Sequence, residues 1–311
     1  MAGMNLKAIR DLKVSEGLNI LDVEIPPQLD ATVDTGMAFL NDAFGGEGIT
    51  PSTCAILTGD PGAGKTTLML QMAESMTKMG HQVVYNGREE AIEQMRKVTR
   101  RLQFKYGFII GQERQVPQLI LQMKKLRATE IEKLQKEADA INDSLKESVL
   151  AYNACQREAA LTSGLPVPEP KPMPALILPG EPRQQILIVD SLQSHDDGFY
   201  KDGSINSMTQ VRVTEQLTDW CKETYGIAII IGQVTKNGKV AGKQQIIHTL
   251  DVHCHMTIER DSDNVFFGCR LFGMIKNRFG CSGITYALDL TKLGFAEKGQ
   301  IASLIPDNED E

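Results

Sequence analysis

The chain has 311 residues, 41% hydrophobic and 23% charged, with a formal net charge of -7 at pH 7. Proteins that bind nucleic acid through their overall charge are usually basic, so the net negative charge argues against this mode of binding. Nucleic-acid binding would instead require a local basic patch. No apolar run reaches ~18 residues and the six scattered cysteines form no CxxC pair, so we expect a cytoplasmic protein without a transmembrane helix, zinc ribbon or redox motif.

Short apolar runs alternate with helical segments along most of the chain. Residues 1–35 are expected to be a leader, and a helix is expected between Gly36 and Gly48. Five apolar runs predict buried strands, at residues 54–57, 83–85, 108–110, 185–190 and 227–231. Strands of this kind separated by helices predict an α/β fold whose mainly parallel central sheet is flanked by helices. The expected core comprises residues 36–118 and 184–300, followed by an acidic tail at 301–311.

Residues 119–183 interrupt this pattern and predict an inserted helical arm. Glycine and proline are absent between Pro117 and Gly164, and apolar residues recur every three or four positions, as in a long helix or coiled coil. This apolar seam consists of Ile131, Leu134, Ala138, Ile141, Leu145, Val149, Tyr152, Cys155 and Ala159. Seven prolines from Pro166 to Pro182 then favour an extended segment. Two arrangements fit: one helix with a proline-rich return, or a helical hairpin that turns at residues 142–144.

The segment GDPGAGKTT at residues 59–67 matches the P-loop pattern GxxxxGK[ST]. In such a loop, backbone N–H groups surround the phosphates of a nucleotide, the lysine reaches the β and γ phosphates, and the threonine hydroxyl ligates Mg²⁺. The motif stands between a predicted strand and a predicted helix, as phosphate binding at a helix N-terminus requires. We therefore expect ATP and Mg²⁺ as cofactors. The expected nucleotide-binding residues are Gly59, Asp60, Pro61, Gly62, Ala63, Gly64, Lys65, Thr66 and Thr67.

Three polar positions that follow predicted strands are candidates for the chemistry of hydrolysis. Asp190 ends an apolar strand and is expected to hold Mg²⁺ together with Thr66. Glu89, with Glu90 as the alternative, is expected to activate the attacking water. Gln233 follows the strand at 227–231 and is a candidate contact for the γ-phosphate, although a polar residue at a strand end is also ordinary.

Two basic groups are candidates for contacts with phosphates. Lys236, Lys239 and Lys243 surround an Asn-Gly turn, which predicts either a small DNA-binding loop or a solvated loop. Lys276 and Arg278 lie two positions apart between apolar stretches, so they would point to one side of a strand. There they would reach the nucleotide of a neighbouring subunit or remain surface charges.

Together these motifs resemble the bacterial RadA (Sms) branch of the RecA superfamily. The resemblance rests on the P-loop, the Glu-Glu pair at 89–90, VDSLQ at 189–193, QVTKNG at 233–238 and KNRFG at 276–280. KNRFG is characteristic of that branch, and the resemblance extends over about residues 31–118 and 184–296. It implies an ATPase motor with a RecA-like core that assembles as a hexameric ring or a filament on DNA, chiefly single-stranded DNA.

The resemblance also assigns roles to single residues. It implies that Glu89 activates water, that Gln233 senses the nucleotide, that the loop at 236–243 contacts DNA, and that Lys276 and Arg278 act on a neighbouring subunit's phosphates. The chain departs from that branch because it lacks paired cysteines for a zinc finger, is not expected to carry a Lon-like domain, and contains the arm. These departures suit a version of the core carried by a bacteriophage or a mobile element.

Three functions are compatible with these features. The first is a DNA-dependent ATPase in recombination, repair or replication, which the basic loop and KNRFG favour. The second is an ATP-switched assembly or adaptor protein whose arm recruits a protein partner, which the acidic balance and the arm favour. The third is a replicative helicase of the DnaB type, but its N-terminal collar would not fit into a leader of 35 residues.

Overall fold

The chain divides into a core unit, residues 1–120 and 184–311, and an arm, residues 121–183. The computed structural model describes residue 17 and residues 19–200, 203–233 and 244–302. Within these residues the strands are Cys54–Gly59 (β1), Gln82–Gly87 (β2), Ile109–Gly111 (β3), Gln185–Asp190 (β4), Ile227–Ile231 (β5), Val252–Ile258 (β6), Arg270–Asn277 (β7), Thr285–Thr291 (β8) and Gly294–Ala302 (β9). The α-helices are Pro27–Asp30 (α1), Ala38–Phe44 (α2), Lys65–Lys78 (α3), Ile92–Arg101 (α4), Val116–Ser163 (α5), Ser207–Thr224 (α6) and Gln244–Thr249 (α7).

One mixed sheet of nine strands organises the core unit, in the order β3-β2-β4-β5-β1-β6-β7-β8-β9. Neighbouring strands from β3 to β6 pair in parallel, and those from β6 to β9 pair antiparallel. Strands β1, β2, β4 and β5 are buried along their whole length, which explains the apolar runs at their centres. The α/β fold and the mainly parallel centre that the sequence predicts are therefore confirmed.

Helices cover both faces of this sheet. Alternate strand residues such as Leu57 and Ile188 join one hydrophobic core with Leu68 of α3 and Met95 of α4. The intervening residues face the other way, because successive side chains of a strand point to opposite faces. On that face α6 packs against β5 and β1. Its Trp220 is buried.

The arm contains a single long helix and an extended return segment. Helix α5 continues from Val116 to Ser163 and passes through residues 142–144 without a break, so the helical-hairpin alternative is wrong. Residues 165–183 have no regular secondary structure and run back along the helix. Although α5 is long, no helix in the described ranges has an apolar stretch that could cross a membrane.

Two asparagines attach the return segment to the helix. The Asn142 side chain accepts a hydrogen bond from the Ile177 N–H and donates one to the Ile177 carbonyl, both at 2.8 Å. Asn153 binds the N–H and carbonyl of Lys171 in the same way, at 2.7 and 3.0 Å. Each amide thus supplies the pair of hydrogen bonds that a neighbouring strand would make to a backbone in a sheet. The Lys171 ammonium also lies 4.9 Å from the centre of the Tyr152 ring.

The return segment covers only part of the apolar seam predicted for the arm. Leu134, Ala138 and Val149 of the seam are buried or half-buried, as are the two asparagines. Ile131, Ile141 and Leu145 stay 37–48% exposed. The covered side thus carries the two asparagine amides together with part of the apolar seam.

Candidate functional site

A cavity of about 350 Å³ opens where four neighbouring parallel strands end. The P-loop follows β1, Glu89 follows β2, Asp190 ends β4 and Gln233 follows β5. Because parallel strands direct their carboxyl ends to one edge of the sheet, residues far apart in sequence meet there. The cavity is lined by Gly59, Pro61, Gly62, Gly64, Lys65, Thr66, Thr67, Glu89, Asp190, Ser191, Ile231 and Gln233.

The P-loop wraps around the start of α3, and Lys65 is the first residue of that helix. Gly64 caps the helix in the left-handed conformation, with φ of 97°. The Lys65 ammonium donates hydrogen bonds to the carbonyls of Gly59 at 2.8 Å and Asp60 at 3.0 Å. Burial lowers the pKa of Lys65, and the charges of Asp190, Asp60 and Glu89 oppose that shift. The loop therefore presents a helix N-terminus and a half-buried cation to the cavity, an arrangement that favours phosphate binding.

Asp190 forms the centre of the polar side of the cavity. Its Oδ2 accepts hydrogen bonds from the Thr66 hydroxyl at 3.0 Å and from the Tyr85 hydroxyl at 2.6 Å. Burial raises the pKa of Asp190, while these two hydrogen bonds act to lower it. A carboxylate and a hydroxyl this close together are the oxygen ligands that Mg²⁺ prefers. The donor set of Thr66 and Asp190 thus fits the metal that the sequence predicts.

Glu89 lies beside Asp190 and is oriented by two polar side chains. Its Oε1 accepts hydrogen bonds from the Ser191 hydroxyl and, at 2.8 Å, from the Gln233 amide. The Gln233 backbone N–H in turn donates to the Gln193 side chain at 3.4 Å. Glu90 does not belong to the cavity lining. Of the two glutamates, Glu89 is the one that lines the cavity.

Lys276 and Arg278 lie outside this cavity and bind the chain around α7. Lys276 donates to the carbonyls of Ile247 at 2.8 Å and Leu250 at 2.6 Å. Arg278 pairs with Asp251 at 3.1 Å and donates to the carbonyl of His248 at 2.8 Å. Both cations bind the stretch of chain at residues 247–251, but only Lys276 lies in β7, which ends at Asn277. The structure does not bring them to the nucleotide cavity of their own chain.

The predicted DNA-binding residues Lys236, Lys239 and Lys243 lie outside the described residues. Their placement relative to the cavity thus remains a sequence-based expectation.

Two residues that contact the acidic side chains of the site were not predicted from the sequence. Tyr85 hydrogen-bonds to Asp190, and Ser191 hydrogen-bonds to Glu89. One signal was available for Tyr85, because a tyrosine inside an apolar strand needs a polar partner for its hydroxyl. Ser191 gives no such signal, since a serine after a strand is ordinary.

We expect Gly64→Ala to destabilise the P-loop more than Gly62→Ala. Both glycines have positive φ, at 97° and 76°. An added methyl group therefore costs about 1–2 kcal/mol of backbone strain at either position. At Gly64 the methyl carbon would also lie 2.7 Å from the Phe295 ring, whereas nothing lies within 4 Å at Gly62. Overpacking of this kind adds about 1–3 kcal/mol. Urea unfolding of both variants measures the difference, and equal losses would contradict the contact with Phe295.

Sequence comparisons find similarity to a family of ATPases and to proteins named DNA repair protein RadA. The model of the KaiC ATPase family matches residues 33–159. The DNA repair protein RadA of Aquifex aeolicus is 28% identical over 264 residues, a match that covers 85% of this chain and 45% of RadA. RadA of Mycobacterium tuberculosis strain H37Rv is 29% identical over 249 residues, covering 80% of this chain and 39% of RadA. This chain thus spans less than half the length of both relatives.

Solved structures show the same fold at low sequence identity. A KaiC-like protein of Pyrococcus horikoshii superimposes with a TM-score of 0.54 at 12% identity, covering 86% of this chain and 99% of the other. A solved ATPase domain gives a TM-score of 0.62 at 11% identity, covering 86% and 92%. These comparisons confirm the resemblance to RadA and the RecA-like fold. Together they indicate a P-loop ATP hydrolase, with similarity to the KaiC ATPase family over residues 33–159.

Proposed function

We propose that this chain is an Mg²⁺-dependent ATPase that acts on DNA, as an oligomer, in recombination, repair or replication. The observation that carries the proposal is the convergence of Lys65, Thr66, Asp190 and Glu89 on one cavity. The link to DNA is supported by the similarity to proteins named DNA repair protein RadA. The basic loop at 236–243 supports it as well.

Different residues of the cavity would bind the phosphates, hold the metal and accept the proton of the attacking water. The P-loop N–H groups and Lys65 would bind the phosphates, while Thr66 and Asp190 would hold Mg²⁺. When bound, Mg²⁺ neutralises charge that develops on the phosphate oxygens. Within the described part of the chain, both recorded hydrogen bonds to Glu89 end on Oε1. Oε2 would therefore accept the proton of the attacking water, and Gln233 would report on the γ-phosphate through its bond to Glu89.

We expect Glu89→Gln to preserve ATP binding while turnover falls by at least ~100-fold, because the amide cannot accept the proton of water. Steady-state hydrolysis and equilibrium binding of a fluorescent ATP analogue measure the two effects. Glu90→Gln is the matched control and should turn over at nearly the wild-type rate. Turnover retained in Glu89→Gln but lost in Glu90→Gln would assign the base to Glu90 instead.

The proposed oligomer, a hexameric ring or a filament, would place Lys276 and Arg278 at the nucleotide of the next subunit. We expect Arg278→Ala and Lys65→Ala to be inactive alone and partly active when mixed, because some interfaces then combine an intact P-loop with an intact arginine. Hydrolysis by mixed oligomers measures the recovery. Asp251→Asn removes the ion pair with Arg278 but keeps the arginine. The activity lost in this variant therefore measures how much of the Arg278→Ala effect comes from losing the ion pair. No recovery in fully exchanged oligomers would reject the action in trans.

We expect DNA binding to depend on the loop at 236–243. Replacing Lys236, Lys239 and Lys243 together by Ala should weaken binding. The slope of the logarithm of the binding constant against the logarithm of salt concentration should also fall by up to about three units on duplex DNA, since each phosphate contact contributes ~0.9. Fluorescence anisotropy at several salt concentrations measures the slope. Ala replacements of the exposed Lys78, Lys97 and Lys222 remove the same charge elsewhere and should leave the slope nearly unchanged.

A second candidate function is an ATP-switched assembly or adaptor protein whose arm recruits a protein partner. The exposed side chains of Ile131, Ile141 and Leu145 favour it, because they form an apolar row that the return segment leaves uncovered. An unchanged salt slope in the triple lysine variant would favour this second function over a DNA motor.

A further inference from the structure

We infer that Tyr85 is a positioning residue for the Mg²⁺ site, because its hydroxyl fixes one oxygen of Asp190 and so turns the other toward the cavity. The inference rests on the proposed function, since it concerns the metal that Asp190 and Thr66 would hold. Tyr85 does not itself line the cavity. It therefore acts through Asp190.

The geometry places Tyr85 behind the carboxylate. Tyr85 lies on β2, which pairs with β4, and its hydroxyl is 2.6 Å from Oδ2 of Asp190. Thr66 donates to the same oxygen from the P-loop side at 3.0 Å. Asp190 lines the cavity, and no hydrogen bond to its Oδ1 is recorded among the described residues. Two donors thus hold one oxygen, and the second oxygen is left for the water shell of the metal.

Tyr85 is better suited than Thr66 to fix this orientation. Thr66 belongs to the metal site, so its hydroxyl has a second task there. The Tyr85 side chain is fully buried, and its ring packs 5.8 Å from that of Phe108. Its hydroxyl therefore cannot move far.

A purely structural tyrosine would behave differently, and the same sheet offers one for comparison. Tyr286 on β8 is buried, and its hydroxyl donates to a carboxylate oxygen of Asp42 on α2. Neither Tyr286 nor Asp42 lines the cavity. Tyr286→Phe thus removes the same kind of bond from the same sheet without affecting the carboxylate of the metal site.

The test is the Mg²⁺ dependence of nucleotide binding, measured by titrating Mg²⁺ into protein with a fluorescent ATP analogue. In Tyr85→Phe we expect the Mg²⁺ midpoint to rise by roughly 10-fold or more, the usual loss when a group that orients a metal ligand is removed. Binding of the analogue in EDTA should stay at the wild-type level. Tyr286→Phe should keep the wild-type midpoint. Replacing Tyr85 by p-aminophenylalanine, which retains an N–H donor, should return the Mg²⁺ midpoint most of the way to the wild-type value.

Three outcomes would overturn the inference. A midpoint within twofold of wild type in Tyr85→Phe would show that Asp190 orients itself without the hydroxyl. An equal shift of the Mg²⁺ midpoint in Tyr286→Phe would show that the effect of Tyr85→Phe comes from general destabilisation. If binding to the wild-type protein does not respond to Mg²⁺ at all, the proposed function fails and the inference fails with it. The first two outcomes leave the proposed function intact.

Discussion

The site depends on the side-by-side pairing of β2, β4, β5 and β1. In-register parallel pairing, with Gly87 opposite Asp190 and Asp190 opposite Ile231, aligns the carboxyl ends of the strands. The strand ends, the loops that leave them and the first turn of α3 carry the polar groups of the cavity. A one-residue slip of β4 would turn Asp190 to the other face of the sheet. The apolar contacts that bury these strands therefore also position the acidic centre of the site.

Features encoded in a short stretch of sequence were predictable. The P-loop motif contains its own glycines and the start of its helix, and apolar runs indicate the buried strands. Features that depend on pairing between distant segments were not. Tyr85 belongs to an apolar run, and its bond to Asp190 exists only because β2 pairs with β4. Strands β8 and β9 carry polar residues such as Asp289 and Lys298 between apolar ones, so they form no apolar run of the kind used to predict strands.

The arm shows the same limit in another form. Its helix and its extended segment followed from composition, but the choice of the helix face that the segment covers did not. Apolar periodicity selected one seam, but only part of it is covered, and Ile131 and Ile141 stay exposed. The return segment is held by hydrogen bonds with Asn142 and Asn153, which do not belong to the seam. Periodicity contains no information about such bonds.

Because Asn142 and Asn153 bind only main-chain atoms of the return segment, they impose almost no requirement on its side chains. The requirement is positional: residues 171 and 177 must supply an N–H and so cannot be proline, although Lys171 is flanked by proline on both sides. Apart from Lys171, which contacts Tyr152, and Arg183, which pairs with Glu130, the side chains of the segment should therefore vary with little effect on its attachment. The arm can thus change what it displays to its surroundings over evolutionary time while keeping its shape.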